Sequence, residues 1–288
     1  MLNAFELYTP ATVEEACRCR AETGGTLLAG GTDVLVAMHG GKAHAVLIDL
    51  KGLAPLRGIR ETETHWHLGA LTPHYAIEAD PVWRARCTCL YEGCSQVGSV
   101  QIRHRGTLGG NLCNAVPSAD SAGPLLALDA VCRIASPAGV RDVPLTEFFL
   151  GARRTVLGPD ELLQEIVVPK PAPHTGSCYI KYTRRRAMDL ALCGVTVLVT
   201  LDGGRIAAAR VALTTAAPTP IRAPGAEAYL QGRQADRVDL AELGRRTAAD
   251  ASPRTSWRAS TEFRLTLLQE LAGRAFTTAL ARAKEDPT

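Results

Sequence analysis

LLAGGTDVLV, residues 27–36, and GTLGGNLCNAVPSAD, residues 106–120, are two glycine-rich segments of one chain. A pair of glycines lets the backbone adopt positive φ angles and removes side chains that would keep a ligand away. Consecutive main-chain N–H groups can then line a concavity that binds an anion, and Thr32 and Thr107 would add hydroxyl donors. Two such loops that converge on one crevice would suit a diphosphate. Either glycine pair taken alone is also typical of an ordinary turn.

The spacing of the glycines excludes the two commonest nucleotide-binding motifs. Neither segment matches the dinucleotide fingerprint G-x-G-x-x-G or the P-loop G-x4-G-K-[ST]. A ligand with a diphosphate would therefore be bound by another architecture. Asn111, directly after the second glycine pair, and Asp120, at the end of that segment, would be free to bind its sugar or its ring.

Length and composition are those of a soluble two-domain protein. The chain has 288 residues, of which 46% are hydrophobic and 21% are charged. The 32 basic and 29 acidic side chains nearly balance, so net charge gives no reason to expect nucleic-acid binding. No apolar run is long enough to span a bilayer, and MLNAFELYTP lacks the features of a secretory signal. We expect a cytoplasmic protein without a membrane segment.

The cysteines and histidines predict no metal centre. There are nine cysteines, and in a cytoplasmic chain small buried thiols are a simpler explanation than disulfides. Cys87, Cys89 and Cys94 form the one tight cluster, but an iron–sulfur cluster needs four converging thiolates. His65 and His67 alternate on a predicted strand, and no further ligand pattern joins them.

The first part of the chain mixes short helices and strands. Thr9 or Thr12, with acids in the following turn, predicts the start of a helix that stops at Gly24. Val82–Val97 reads as one helix that carries the clustered cysteines. Strands are predicted over 26–29, 45–49, 65–71, 131–135, 140–143 and 165–168, and helices over 34–38 and 73–79; residues 124–130 fit either.

A proline-rich stretch over 169–176 indicates a linker, and the pattern changes after it. Alternating residues predict three antiparallel strands over 178–182, 193–201 and 205–213, with a hairpin at Asp202-Gly203-Gly204. Apolar residues at helical spacing predict a final helix from about Ser256 to Lys284, with Trp257 and Phe263 as packing residues. We therefore predict an α+β protein with a domain over 1–170 and a second over 176–288.

Taken together, the two glycine segments resemble the FAD-binding (medium) subunits of the molybdenum hydroxylases. Further segments look like the separate FAD chain of bacterial xanthine dehydrogenases. The resemblance covers nearly the whole chain through VLGPDELLQEIVVP (156–169), YIKYTRRRAMDLALCGV (179–195), APTPIR (217–222) and SWRASTEFRLTLLQ (256–269). It implies a two-part FAD-binding domain of the vanillyl-alcohol-oxidase/PCMH type, split near 53–60. A small C-terminal domain with a three-stranded antiparallel sheet and helices would follow.

The resemblance also implies a set of cofactor-binding residues. The main-chain N–H groups of Gly30, Gly31 and Thr32 would bind the FAD diphosphate, and 107–111 would lie beneath the diphosphate and the flavin. Asp120 would accept from a sugar hydroxyl, Leu163 would pack on the adenine, and Lys181 would approach from the second domain; Leu190 would lie against the flavin ring. The full set is Leu27, Leu28, Ala29, Gly30, Gly31, Thr32, Asp33, Val34, Val97, Thr107, Leu108, Gly109, Gly110, Asn111, Asp120, Leu163 and Lys181.

Several of these residues have simpler alternatives. Asp120 also fits a helix N-cap, Leu163 an ordinary core leucine, and Lys181 with Arg184–Arg186 a solvated charged turn. One branch of the family, the 4-hydroxybenzoyl-CoA reductases, carries a [4Fe-4S] insertion after the second loop. This chain has its first cysteine, Cys113, but not the insertion.

For function, the resemblance implies an electron-transfer subunit. Electrons would pass from [2Fe-2S] clusters of a small partner chain to FAD in this chain and then to NAD+. A large partner chain would carry the molybdopterin and oxidise the organic substrate, xanthine or hypoxanthine, in a dimer of heterotrimers. No catalytic residue and no metal are expected in this chain. Nicotinate, another N-heterocycle or an aldehyde as substrate, a self-contained flavin oxidase and an FAD-free scaffold subunit remain alternatives.

Overall fold

The computed structural model describes residues 3–285, and the chain begins with a small parallel sheet. Its strand order is Glu6–Tyr8, Val46–Asp49, Thr26–Leu28. The helix Val13–Thr23 crosses between the first two strands in sequence. Thr12, and not Thr9, caps this helix, because its Oγ1 accepts from the Glu15 N–H at 3.1 Å. Gly24 ends it with a φ of 64°, as predicted.

A five-stranded antiparallel sheet follows. Residues 50–56 join it to the parallel sheet: Leu50, Leu53 and Leu56 are buried in one cluster with Ala135 and Leu162 of the larger sheet. The two sheets therefore share apolar packing. In spatial order the strands are Ile59–Glu61, His65–Gly69, Leu162–Pro169, Val131–Ser136 and Gly139–Pro144.

Short helices cover the larger sheet. The predicted single helix over 82–97 is wrong, because Cys87 leaves the helical region with φ −147° and ψ 52°. Cys87, Thr88 and Cys89 have low helix propensities, which explains the break. The two resulting helices are Pro81–Arg86 and Thr88–Ser95. The other elements are the helices Val34–His39, His74–Ala79, Val100–Arg105, Leu108–Cys113, Ala122–Ala127 and Leu145–Phe148, the 3-10 turn Ala54–Leu56, and the strands Phe149–Gly151 and Arg154–Thr155.

All nine cysteines lie within the described residues and are free thiols. Cys87, Cys89 and Cys94 are fully buried among apolar side chains of the main core. Within residues 3–285, no group of three or more histidine, cysteine, aspartate or glutamate side chains is arranged to hold a metal ion.

The C-terminal domain has an antiparallel sheet backed by helices. The three predicted strands are present as Thr175–Tyr182, Cys193–Asp202 and Arg205–Thr214, and a two-residue strand, Ile221–Arg222, adds a fourth. The helices are Pro224–Leu230, Leu240–Ala249 and Thr261–Glu285, with a 3-10 turn at Ala235–Arg237.

The final helix begins later than expected. It starts at Thr261 and not near Ser256, so Trp257 lies before it. Trp257 is 75% exposed and Phe263 is 43% exposed, so neither is the helix-packing residue that the sequence suggested. No helix within residues 3–285 is long and apolar enough to cross a bilayer.

Ion pairs and close packing join the two domains. Glu92 of the first domain binds Arg282 of the last helix at 2.7 Å, and its second oxygen accepts from the Tyr179 N–H at 2.7 Å. Asp129 binds Arg210 at 2.8 Å and Arg222 at 2.6 Å. The main core also continues across the boundary, because Tyr179 belongs to it.

Gly176 gives a test of packing in the C-terminal domain. A Cβ at this position would overlap the backbone of Ala279 and Ala283 in the last helix. We expect Gly176→Ala to lower the free energy of unfolding by about 1–3 kcal/mol, measured by chemical denaturation. Gly151→Ala, where a Cβ meets nothing within 4 Å, serves as the control. Equal stability of the two variants would contradict this packing.

Candidate functional site

The two glycine loops meet directly. A Cβ at Gly30 would overlap the carbonyl oxygen of Arg105 and lie 3.1 Å from the Gly106 Cα, so only glycine fits this contact. On the other side, a Cβ at Gly106 would lie 3.5 Å from Thr32 Oγ1. The close approach places both loops on one cleft.

The cleft has a volume of about 520 Å³ and lies between the parallel sheet, the larger sheet and the C-terminal domain. This size is typical of a small-molecule site. Two residues of the predicted set, Leu28 and Leu108, do not line it, because their side chains are buried in the core. The others do line it: Leu27, Ala29, Gly30, Gly31, Thr32, Asp33, Val34, Val97, Thr107, Gly109, Gly110, Asn111, Asp120, Leu163 and Lys181.

The first loop offers unused hydrogen-bond donors. Within residues 3–285, the N–H groups of Gly30, Gly31, Thr32 and Asp33 donate to no other protein group. Gly31 has a φ of 76°, which a residue with a side chain rarely adopts. A run of free N–H groups that lines a cleft is suited to an anion.

The second loop differs from the expectation that both loops present N–H groups. The N–H groups of Leu108 and Gly109 donate to Thr72 O and Ala70 O, both at 2.9 Å. The Gly110 N–H donates to Thr107 Oγ1 at 3.0 Å, so Thr107 caps the helix that follows. These bonds fix the second loop as a rigid wall, against which the first loop rests.

A buried ion pair brings the second domain to the cleft. Lys181 Nζ lies 2.7 Å from Asp120 Oδ2 and also donates to Gln96 O at 2.9 Å. The other oxygen of Asp120 accepts from the Tyr179 hydroxyl at 2.8 Å. Burial raises the pKa of Asp120, and Lys181 and Tyr179 oppose that rise. Asp120 is therefore not a helix cap.

Tyr179 is a residue that sequence reasoning missed. Burial and the adjacent Asp120 raise its pKa well above the usual value, so it remains a hydrogen-bond donor. The sequence pattern could place Tyr179 on a strand, but it could not reveal what its hydroxyl contacts. The contact with Asp120, 59 residues away in the sequence, depends on how the domains pack.

Polar residues along the rest of the cleft were also not predicted. Arg153 donates to Asn114 Oδ1 at 3.0 Å, and its charge opposes a rise in the pKa of Asp33 that desolvation causes. His74 is buried; burial and Arg103 lower its pKa to about 4, so it is neutral near pH 7. Further polar residues that line the cleft are Lys42, His44, Ser118 and Asp189. The exposed side chain of Met188 lines it as well.

Asn111 and Leu190 both line the cleft. Asn111 Oδ1 accepts from Ser121 Oγ at 2.7 Å, which leaves its amide NH₂ as a donor. Leu190 lines the cleft and is 50% exposed. Together with the loops, these residues give a cleft with free N–H groups at one part and a mixture of apolar and polar side chains elsewhere.

Comparison with known proteins shows similarity along the whole chain. The family described as FAD binding domain in molybdopterin dehydrogenase matches residues 3–171, and the CO dehydrogenase flavoprotein C-terminal domain matches residues 178–279. The chain is 37% identical over 287 residues to the xanthine dehydrogenase FAD-binding subunit of Escherichia coli O157:H7, covering 98% of each chain. It is 35% identical over 208 residues to the nicotinate dehydrogenase FAD-subunit of Eubacterium barkeri, covering 70% of each.

A solved structure has the same fold. The carbon monoxide dehydrogenase from Hydrogenophaga pseudoflava that lacks the Mo-pyranopterin moiety of its cofactor contains a chain that superposes with a TM-score of 0.94. The two chains are 32% identical, and the match covers 98% of this chain and 99% of the other.

The Lys181–Asp120 pair predicts a pH-dependent stability effect. Lys181→Met leaves a buried carboxylate without its cation, which costs about 3–5 kcal/mol of unfolding free energy near pH 8. The pKa of Asp120 is already raised in the folded state. Its protonated form is therefore favoured by folding, and that contribution is lost as the pH rises through the folded-state pKa. The variant raises this pKa further, so its deficit should be smaller at about pH 5 than at about pH 8.

Urea denaturation at both pH values measures the effect. Lys284→Met, which removes an exposed pair with Asp236, is the matched control and should change stability by less than about 1 kcal/mol at either pH. A Lys181→Met deficit that does not depend on pH would show that Asp120 is not the group left unpaired.

Proposed function

The chain belongs to the FAD-binding subunits of the molybdenum hydroxylases, and from this premise we propose that it holds FAD in the cleft and carries electrons from a partner chain to NAD+. As a member of this family it is a subunit of an oxidoreductase. The observation that carries the proposal is the run of free N–H groups over Gly30–Asp33, which lies where the two loops meet.

The residues of the cleft fit FAD. The free N–H groups of the first loop would bind the diphosphate, and the Asn111 amide would bind a hydroxyl of the sugar or ribityl chain. Leu163, which lines the cleft, would pack on the adenine, and Val97 and Leu190 would provide apolar contact to the flavin. Asp120 already binds Lys181 and Tyr179, so its main role would be to hold Lys181 at the cleft.

Bound FAD would supply the redox chemistry, since a flavin can accept electrons singly and give up two as a hydride. The chain itself would bind, orient and shield the cofactor. His74 stays neutral because it is buried, so it would add no charge to the site. Lys181 keeps a cation at the cleft. No step of this role requires a proton from a side chain of this protein.

The partner chains follow from the family. We propose a large chain that carries molybdopterin and a small chain with [2Fe-2S] clusters, assembled as a dimer of heterotrimers in the cytoplasm. Xanthine or hypoxanthine is the proposed substrate of the complex, supported by the 37% identity to a xanthine dehydrogenase subunit. The 35% identity to a nicotinate dehydrogenase subunit keeps nicotinate as the second candidate.

Gly30→Ala tests the cofactor site. The added methyl group would force the loops apart, so we expect FAD affinity to fall by about tenfold or more. Titration of the apoprotein with FAD, followed by flavin fluorescence, measures the affinity. Gly52→Ala, where a Cβ meets nothing within 4 Å, should bind FAD as the unchanged protein does. Equal affinity of Gly30→Ala and Gly52→Ala would refute the diphosphate site.

Purification of the native complex tests the electron-transfer role. We expect FAD in this chain, iron–sulfur clusters in a second and molybdenum in a third, and NAD+ reduction that depends on xanthine. Reduction of the flavin by an organic substrate in the isolated chain would favour a self-contained oxidase. A purified chain without flavin would favour a scaffold subunit. NAD+ reduction that depends on nicotinate and not on xanthine would change only the proposed substrate.

A further inference from the structure

A basic and aromatic surface lies on the C-terminal domain. Two of its aromatic side chains, Tyr182 and Phe263, contact edge to face with ring centroids 6.3 Å apart, and both are more than one-third exposed. Trp257 is more exposed than either. We name this surface the arginine–tryptophan patch, and it consists of Tyr182, Arg184, Leu190, Trp257, Arg258 and Phe263.

Arginines surround the exposed tryptophan. The guanidinium carbon of Arg184 lies 4.7 Å from the Trp257 ring centroid, and that of Arg258 lies 4.3 Å from it. Tryptophan and arginine are the residues most enriched at the energetic centres of protein interfaces. Trp257 lies at the surface against two cations and is 75% exposed, so it contributes little to packing within its own domain.

Arginines of the patch, and others next to them in the sequence, lack ion-pair partners in the described part of the chain. Within residues 3–285, Arg184, Arg186, Arg254 and Arg258 have no carboxylate within 4.0 Å. Arg185 alone of this group pairs with an acid, Asp189, at 3.6 Å. Exposed like charges that lack partners repel each other, and an acidic surface would relieve that repulsion.

A buried arginine beneath the patch adds to this charge. Arg264 is 3% exposed and donates to Leu192 O and, at 3.0 Å, to Ser256 Oγ. Its Nε is buried and has no hydrogen-bond partner among the described residues, and the same holds for Nε of Arg258. Both arginines follow Trp257 in the sequence, and together they leave the region with a surplus of cations.

The patch continues into the mouth of the cleft. Residues 183–190 connect them: Arg184 contacts Trp257, whereas Met188, Asp189 and Leu190 line the cleft. Asp189 holds this connection in shape, because its Oδ2 accepts from the N–H groups of Arg184 and Arg185 at 3.1 and 3.2 Å. Met188 and Leu190 are at least half exposed, so they lie at the opening.

We infer that the arginine–tryptophan patch is the surface on which an acidic face of the electron-donor chain docks. This inference rests on the proposed function, since a donor must sit at the cleft mouth to reach a flavin bound inside it. The occupant is a protein, because Trp257, Tyr182 and Phe263 expose aromatic surface beside arginines, and these residue types dominate protein interfaces. The surface combines exposed aromatic residues with unpaired charge, which suits a protein interface.

Charge reversal tests the inference in the full-length chain loaded with FAD. The iron–sulfur-containing remainder of the native complex is immobilised, and binding of the flavin chain is measured at low and high salt. We expect Arg184→Glu/Arg258→Glu to weaken association by about tenfold or more at low salt and to reduce its salt dependence. Trp257→Ala should weaken association by about tenfold without changing that salt dependence.

The matched control reverses two arginines at the far end of the same sheet. Arg205 begins the strand Arg205–Thr214 at the end opposite Tyr182, and Arg237 lies close in sequence to Gln234, which bridges to Arg205. Arg205→Glu/Arg237→Glu carries the same change of charge and should alter association by less than about twofold. FAD content and melting temperature are recorded for each variant, so loss of folding is distinguished from loss of docking.

Several outcomes would overturn the inference. Association that is unchanged in Arg184→Glu/Arg258→Glu, or equally weakened in the control, overturns the inference. Intact assembly with an altered KM for NAD+ also overturns it and assigns the patch to the nucleotide. A wild-type chain that binds FAD and joins an iron–sulfur chain upholds the proposed function in every one of these cases, so the two can fail separately.

Discussion

The contact between Gly30 and the Arg105 carbonyl is the constraint on which the site depends. It brings the backbone of a strand-to-helix turn against the backbone of a helix-to-helix turn, at a distance that no side chain permits. The second loop can serve as a support because its own N–H groups are bonded inward, to Thr72, Ala70 and Thr107. The first loop rests on that support through Gly30, and its own N–H groups stay free within the described residues. One loop is therefore fixed by its own hydrogen bonds, and the other keeps free N–H groups that a ligand could use.

The buried pair of Lys181 and Asp120 makes the C-terminal domain a part of the site. Burying two charges costs desolvation energy that their attraction offsets only with good geometry and further hydrogen bonds. Here Tyr179 and the Gln96 carbonyl supply those bonds. Such a pair is weak evidence for stability, but it fixes the position of the one lysine that the second domain brings to the cleft. Glu92, bound to Arg282, supports the same boundary nearby.

Local chemistry made much of the fold predictable. Thr12 and Gly24 bound a helix through capping, and alternation gave the three long strands of the second domain. Features set by tertiary packing were not predictable. The two-residue strand Ile221–Arg222, which pairs with the strand Arg205–Thr214, and the exposure of Trp257 left no signal in the sequence pattern. The same reason explains the site: the glycine pairs marked both loops, but not which of them keeps its N–H groups free.

Charge shows why composition alone could not locate a binding surface. The net charge of +3 is small for 288 residues, yet unpaired arginines gather around Trp257 at the cleft mouth. At physiological ionic strength, exposed charges act over a Debye length of about 8 Å. In the proposed function, a surface at the mouth would attract an acidic partner, while the N–H groups within the cleft would hold the FAD diphosphate through short hydrogen bonds. Because the two interactions act over different ranges and through different groups, a partner can bind and leave without releasing the ligand.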